Sequence, residues 1–163
     1  MGAIHVNTFR RNLWAAIAVL VLVADQVTKA VVQRTIPEQT TVPVLPHIFN
    51  LIHTHNAGAA FGLFSDSPAP WKTVLLIVIS SALLAMVIAV LWRSQHLRWE
   101  TGVGLALILG GALSNLFDRI RLGRVVDFFD VYYRSYHWPT FNLADSAIVV
   151  GAGFVVFQLL FLE

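Results

Sequence analysis

Asp127 and Asp145 stand 18 residues apart in the stretch VVDFFDVYYRSYHWPTFNLADSAI, residues 125 to 148. Asp127 has apolar company, Val125 and Val126 before it and Phe128 and Phe129 after it, so its carboxylate needs a partner or a shifted pKa. Asp145 follows Asn142 at the spacing of an N-cap and an acid in the first helical turn, and on one reading it only complements the helix dipole. The sharper reading takes the two aspartates together. Two carboxylates close to each other at a low-dielectric interface cannot both ionise easily, so one keeps a proton while the other stays charged. That pair is an acid and a base, able to activate water against a peptide carbonyl without a metal or a covalent intermediate. Asp130, between them, is expected to be solvated.

Three other polar groups could support such chemistry. In DQVTK, Asp25 and Lys29 are four residues apart, the spacing either of a self-neutralising helical ion pair or of part of a polar site. In GGALSNLFDRI, Gly110, Gly111, Ala112 and Ser114 form a small-residue face suited to close helix packing. Asn115 and Asp118 share a face of the same segment beside Arg119, as a brace between helices or as groups orienting the carboxylates. In HTHNAG, His53 and His55 have the spacing of a metal pair on a strand, but a third ligand would be needed; interfacial histidines bonded to loop backbone are the simpler reading. Asn56 is a turn residue whose amide could also orient a substrate backbone.

These residues must be positioned by a chain with the composition of a membrane protein. Of its 163 residues 57% are hydrophobic and 12% charged, outside the range of soluble domains. Four apolar runs, roughly 13–32, 71–92, 101–117 and 144–162, are each about 25–33 Å long as helices, close to the thickness of a bilayer core. The fold expected is an all-α membrane protein with four transmembrane helices, a single domain over 1–163, with long connections at 33–70 and 118–143. The alternation in Ile48, Asn50 and Ile52 predicts a short strand or small sheet at the membrane surface, ended by a bend at Ala57–Gly58. The first run could also be a signal peptide after Arg10 and Arg11, but Asp25, Gln26 and Lys29 stand where small residues should mark a cleavage site. The chain has no cysteine, which excludes thiolate chemistry within it, and a net charge of +2 points to no nucleic-acid partner.

Four spans put the N-terminus, the 93–100 loop and the C-terminus on one face, and both long connections on the other. The first face carries only Glu100 and Glu163; the remaining seven of the nine acids belong to the second. Asp25, Lys29, Asn115, Asp118 and Asp145 fall at one depth, which suggests a single polar site, since ionisable groups within spans usually face a bundle interior or a wet cavity. A proton relay through the membrane would need ionisable groups in both leaflets, and the other leaflet is apolar. A purely structural subunit would explain the glycines but not so many carboxylates at one level. Lys and Arg number four on the first face and six on the second, Lys29 aside, while the basic density is greatest beside the first helix, so orientation stays open.

Five ordered motifs, DQVTK at 25–29, HNAGAAFG at 55–62, GGALSNLFDRI at 110–120, GRVVDF at 123–128 and FNLADSAI at 141–148, make the chain resemble bacterial lipoprotein signal peptidase, or signal peptidase II. The resemblance covers nearly the whole chain. It implies an intramembrane aspartyl endopeptidase, a hydrolase that removes signal peptides from prolipoproteins by cutting before a diacylglyceryl-modified cysteine. It also implies Asp127 and Asp145 as the catalytic dyad, supported by Asp25, Lys29, Asn56, Asn115, Asp118, Arg119 and Asn142. No cofactor and no metal are implied. The fold implied adds a small extracytoplasmic β-element and a surface helix to the four helices. The partners implied are the prolipoprotein and membrane lipid, nothing requires more than a monomer, and the location is the inner membrane with the site toward the extracytoplasmic face.

Overall fold

The computed structural model describes residues 2–58, 70–93 and 97–161. A backbone in hydrocarbon must satisfy its own hydrogen bonds, and each apolar run does so as a helix: α1 Gly2–Thr35, α2 Pro70–Arg93, α3 Trp99–Leu122 and α4 Leu143–Phe161. All four are long and apolar enough to cross a membrane. Val27, Val31, Val74, Val78, Val149 and Leu160 remain exposed on their outer faces, as side chains turned to lipid are.

α3 continues five residues past the apolar run that ends at Phe117, so Asp118 and Arg119 are helical and the second long connection is shorter than expected. Apolarity fades there because those side chains find protein partners, and helical bonding does not depend on apolarity. The stop is Gly123, whose φ of 72° gives the left-handed end of the helix, with its N–H donating to Arg119 O at 3.0 Å. α1 likewise extends three residues past Val32, to Thr35.

The β-element is a four-stranded antiparallel sheet ordered β1-β2-β3-β4, with β1 Thr41–Leu45, β2 Phe49–Asn56, β3 Val125–Tyr133 and β4 Tyr136–His137. It is the small sheet expected around residues 48–52, with β2 as one of its two inner strands. In β2 against β3, Leu51 faces Phe129 and Thr54 faces Asp127, one residue extra in β2. This bulge breaks the alternation and leaves His53 buried, its Nδ1 donating to Ile36 O at 2.8 Å. The sheet is thereby tied to the end of α1, where Val32, Ile36 and Phe128 form an apolar cluster. The expected surface helix lies outside the described residues, as does the second half of the HNAGAAFG motif.

α3 packs against all three other helices. A Cβ on Gly104 would stand 2.6 Å from Gly151 O, one on Gly151 2.5 Å from Gly104 O, and one on Gly110 2.5 Å from Ala18 O. The small-residue face therefore serves close packing, as in membrane helices where backbones themselves touch. At the end of the bundle away from the sheet, Arg11 donates to Trp92 O at 2.9 Å and Arg10 to Leu97 O at 3.3 Å, binding α1 to the last turn of α2 and to the residues just before α3.

Gly151→Val, which drives a side chain into the α3 backbone, should cost about 1–3 kcal/mol. Gly153→Val, with nothing within 4 Å of the added carbon, should be nearly neutral. Thermal unfolding of both variants in one detergent checks the contrast.

Candidate active site

The site is built from the far ends of α1 and α3, the first turn of α4 and the start of β3. Its centre is the Lys29 ammonium, 1% exposed. It donates to Asp25 Oδ2 at 2.7 Å, Asp118 Oδ2 at 2.8 Å and Asn115 Oδ1 at 3.0 Å, using all three of its protons. Asp25 and Lys29 are therefore more than a self-neutralising pair, because Lys29 also carries the charge of Asp118 from another helix.

Each carboxylate passes the order onward. Asp25 Oδ1 accepts from Ala144 N at 2.8 Å, so α1 caps an otherwise orphan N–H of α4, and its Oδ2 accepts from Ser114 Oγ at 2.7 Å. Asp118 accepts from Val126 N at 3.3 Å, fixing the start of β3, and from Gln26 Nε2 at 2.8 Å. Gln26 also reaches Ser114 Oγ at 2.9 Å. Gln26 and Ser114 escape a reading of the sequence alone: the first is a neutral residue inside DQVTK, and the second reads as one of the small packing residues. Their signal is adjacency, since each neighbours a residue of the site in its motif.

Asn142 and Asp145 form a reciprocal capping box, with Asp145 N donating to Asn142 Oδ1 at 2.9 Å and Asn142 N to Asp145 Oδ2 at 3.2 Å. Capping does not exhaust either side chain. Asn142 Nδ2 donates to Asp127 Oδ1 at 2.8 Å, and Asn115 Nδ2 to Asp145 Oδ1 at 2.7 Å. One fully buried amide thus touches both aspartates. Asn56 Nδ2 donates to Asp127 Oδ2 at 3.1 Å while its Oδ1 accepts from Gly58 N at 2.8 Å, so its amide holds both the aspartate and the turn after β2 with one N–H to spare. Arg119 reaches Gly58 O at 3.3 Å and Asn115 O at 3.5 Å, bracing the turn after β2 against α3. The structure brings all nine sequence-singled residues into one connected arrangement.

Asp127 is 1% exposed. Burial, and next the charge of Asp145, push its carboxyl up to about 7, against the hydrogen bonds from Asn56 and Asn142 and the charge of Lys29. Near neutral pH it is therefore poised between acid and base.

Asp130 corrects the expectation of a solvated bystander. It is 4% exposed, accepts from Asn50 Nδ2 at 2.8 Å and lies 2.7 Å from His137 Nδ1. Its partners come from the strands on either side, which sequence spacing does not reveal. His55 bonds to Glu38 at 2.8 Å and His53 to backbone, so both are tied down as interfacial histidines. Among the described residues no three His, Asp or Glu side chains gather as ligands for one ion.

Lys29→Met leaves Asp25 and Asp118 buried without their cation and should cost about 3–5 kcal/mol. Lys29→Arg should not restore it, since a planar fork cannot replace three divergent N–H donors; unfolding midpoints of the two variants decide this. For Asp127 the native pKa of about 7 lies above the unfolded value, so its contribution to stability is full below about pH 4 and is lost as pH rises through 7. Asp127→Asn, which needs no proton, should gain on the wild type by up to about 4 kcal/mol between pH 4 and pH 8. Midpoints measured across that range should diverge toward alkaline pH; parallel curves would contradict the assigned shift.

Comparison with known proteins identifies the family. Residues 17–161 match the model of the family described as Signal peptidase (SPase) II. A lipoprotein signal peptidase of Solibacter usitatus is 44% identical over 149 residues, covering 90% of this chain and 91% of the relative. One of Desulforapulum autotrophicum is 39% identical over 145 residues, covering 89% and 90%. A solved structure titled as a bacterial membrane enzyme at 2.3 Å resolution superposes with a TM-score of 0.82 at 32% identity, covering 91% of this chain and 88% of that one. A second such enzyme structure, at 1.9 Å, gives 0.81 at 31% identity and covers 93% and 95%. A multi-pass membrane chain with five family motifs in order, matched nearly end to end, belongs to the signal peptidase II family.

Proposed function

We propose that residues 1–163 form a single membrane peptidase domain that removes signal peptides from diacylglyceryl-modified prolipoproteins, with Asp127 and Asp145 as its catalytic dyad. The observation that carries this reading is the convergence of two carboxylates from different elements on one buried residue, Asn142, whose Nδ2 donates to Asp127 Oδ1 and whose backbone N donates to Asp145 Oδ2, with the Asp127 carboxyl held near neutrality.

Asp145 begins as the base. It sits at the N-terminus of α4, where the helix dipole favours negative charge, and accepts from Asn115 Nδ2 and Asn142 N. It takes a proton from water as the oxygen attacks the scissile carbonyl. Asp127, carrying the resting proton, donates to the carbonyl oxygen and stabilises the developing oxyanion. When the tetrahedral intermediate collapses, the proton on Asp145 passes to the leaving nitrogen, the C–N bond breaks, and Asp127 recovers its proton from the new carboxyl product. Asp25, Lys29, Asn115, Asp118, Arg119, Asn142 and Asn56 act by holding these two groups.

The depth of the site supports a substrate whose scissile bond lies at the membrane interface. An apolar groove of about 310 Å³ runs between α1, α3 and α4, lined by Leu20, Ala24, Leu107, Leu143, Ala147 and Val150 among others, on a face of α4 other than the one that carries Asp145. The face that holds both long connections is read as extracytoplasmic in a bacterial inner membrane, with the basic pairs Arg10–Arg11 and Arg93–Arg98 on the cytoplasmic side. The monomer suffices, since every group named belongs to one chain.

Asp127→Asn and Asp145→Asn should each lower kcat for a diacylglyceryl-modified precursor in detergent by at least about 10²-fold, with chelators without effect on the wild type. Near-wild-type turnover in either variant would remove the dyad, and loss of activity to a chelator would return attention to His53 and His55.

A further inference from the structure

The β3–β4 hairpin has two unlike faces. Tyr133 pairs with Tyr136 and Tyr132 with His137, and Trp138 N donates to Val131 O at 2.8 Å, so Val131, Tyr133, Tyr136 and Trp138 share one side. The other side has used its polar groups internally: Asp130 with Asn50 and His137, Tyr132 stacked on His137 at 4.9 Å, and Tyr132 OH accepting from His47 N at 2.8 Å. The polar groups of that side are thus paired within the protein, Asp130 buried and His137 exposed beside it, while Val131 is 38%, Tyr133 67%, Tyr136 65% and Trp138 49% exposed. That is the reverse of a hairpin standing in water.

Alternation along β3 puts Val131 and Tyr133 on the side that presents Asp127 to Asn142, so the surface of the site continues outward as an aromatic surface. At the turn Arg134 holds φ at 57°, a conformation that glycine takes at less cost, and its guanidinium lies 5.3 Å from the Tyr133 ring. A cation kept where glycine would fit, resting on an exposed ring, has the chemistry of the headgroup region, where Tyr and Trp concentrate and phosphates await a planar donor.

We propose that this hairpin is a membrane-interface anchor: Val131, Tyr133, Tyr136 and Trp138 enter the headgroup layer beside the helices, and Arg134 pairs with lipid phosphate. The anchor would fix the outer end of the strand whose inner end carries Asp127.

The chain has no cysteine, so Ser135→Cys in the full-length protein places one spin label at the hairpin tip. In phosphatidylglycerol vesicles, collisions with oxygen should exceed those with a water-soluble nickel chelate several-fold. Tyr133→Ser, Tyr136→Ser and Trp138→Ser together should reverse that ratio while cleavage in detergent persists. The label should sit less deeply in uncharged galactolipid vesicles, and Arg134→Gly, which relaxes the turn, should erase the difference between the two lipids. A label reached freely by the chelate in both lipids overturns the anchor, and a lipid difference that survives Arg134→Gly overturns its phosphate contact. A label shielded only after precursor is added would make the hairpin a substrate contact and would also overturn the proposal.

Discussion

The far half of the molecule depends on one ammonium group buried among helices. Lys29 draws Asp25 and Asp118 to distances of 2.7 and 2.8 Å, and a buried charge of that kind is tolerable only if every proton finds an acceptor. Meeting that demand determines where the other elements go. Asp25 caps α4 through Ala144 N, Asp118 holds β3 through Val126 N, and Asn115 turns its amide toward Asp145. Two elements, α4 and β3, are thereby seated by partners of a single side chain, and the carboxylates acquire their geometry from it.

Packing elsewhere cooperates with that constraint. Lipid gives helices no hydrophobic reason to associate, so contact comes from close approach, and the glycines of α3 and α4 let backbones meet. The glycine face and the polar centre lie on the same helix. α3 can therefore bring Asn115 and Asp118 close enough to bond to α1 and α4 only because Gly110 and Gly111 remove the side chains that would hold those helices away.

Much of this is legible in the sequence, for definite reasons. Water cannot enter the spans, so an aspartate or lysine inside one signals a partner, and counting along the helices puts Asp25, Lys29, Asn115, Asp118 and Asp145 at one level. The cap spacing of Asn142 and Asp145 is local and is found as expected. What stays hidden depends on contacts between strands. The bulge that buries His53, the cross-strand partners that bury Asp130 and the sheet register arise from pairing that no local pattern encodes. The end of α3 is missed differently, since apolarity stops at Phe117 while the helix runs on to the glycine that ends it.

The order of the parts along the chain has a consequence for biogenesis. Lys29 lies in the first helix, Asn115 and Asp118 in the third, and Asn142, whose amide joins Asp127 to Asp145, just ahead of the fourth. During synthesis Lys29 has only Asp25 of its own helix as a partner, and its acceptors Asn115 and Asp118 arrive with the third helix. The two aspartates cannot meet until the last helix has inserted and its first turn has been capped from α1. A half-made chain thus carries no assembled centre, and the membrane receiving it meets the proposed dyad only once the fourth helix is in place.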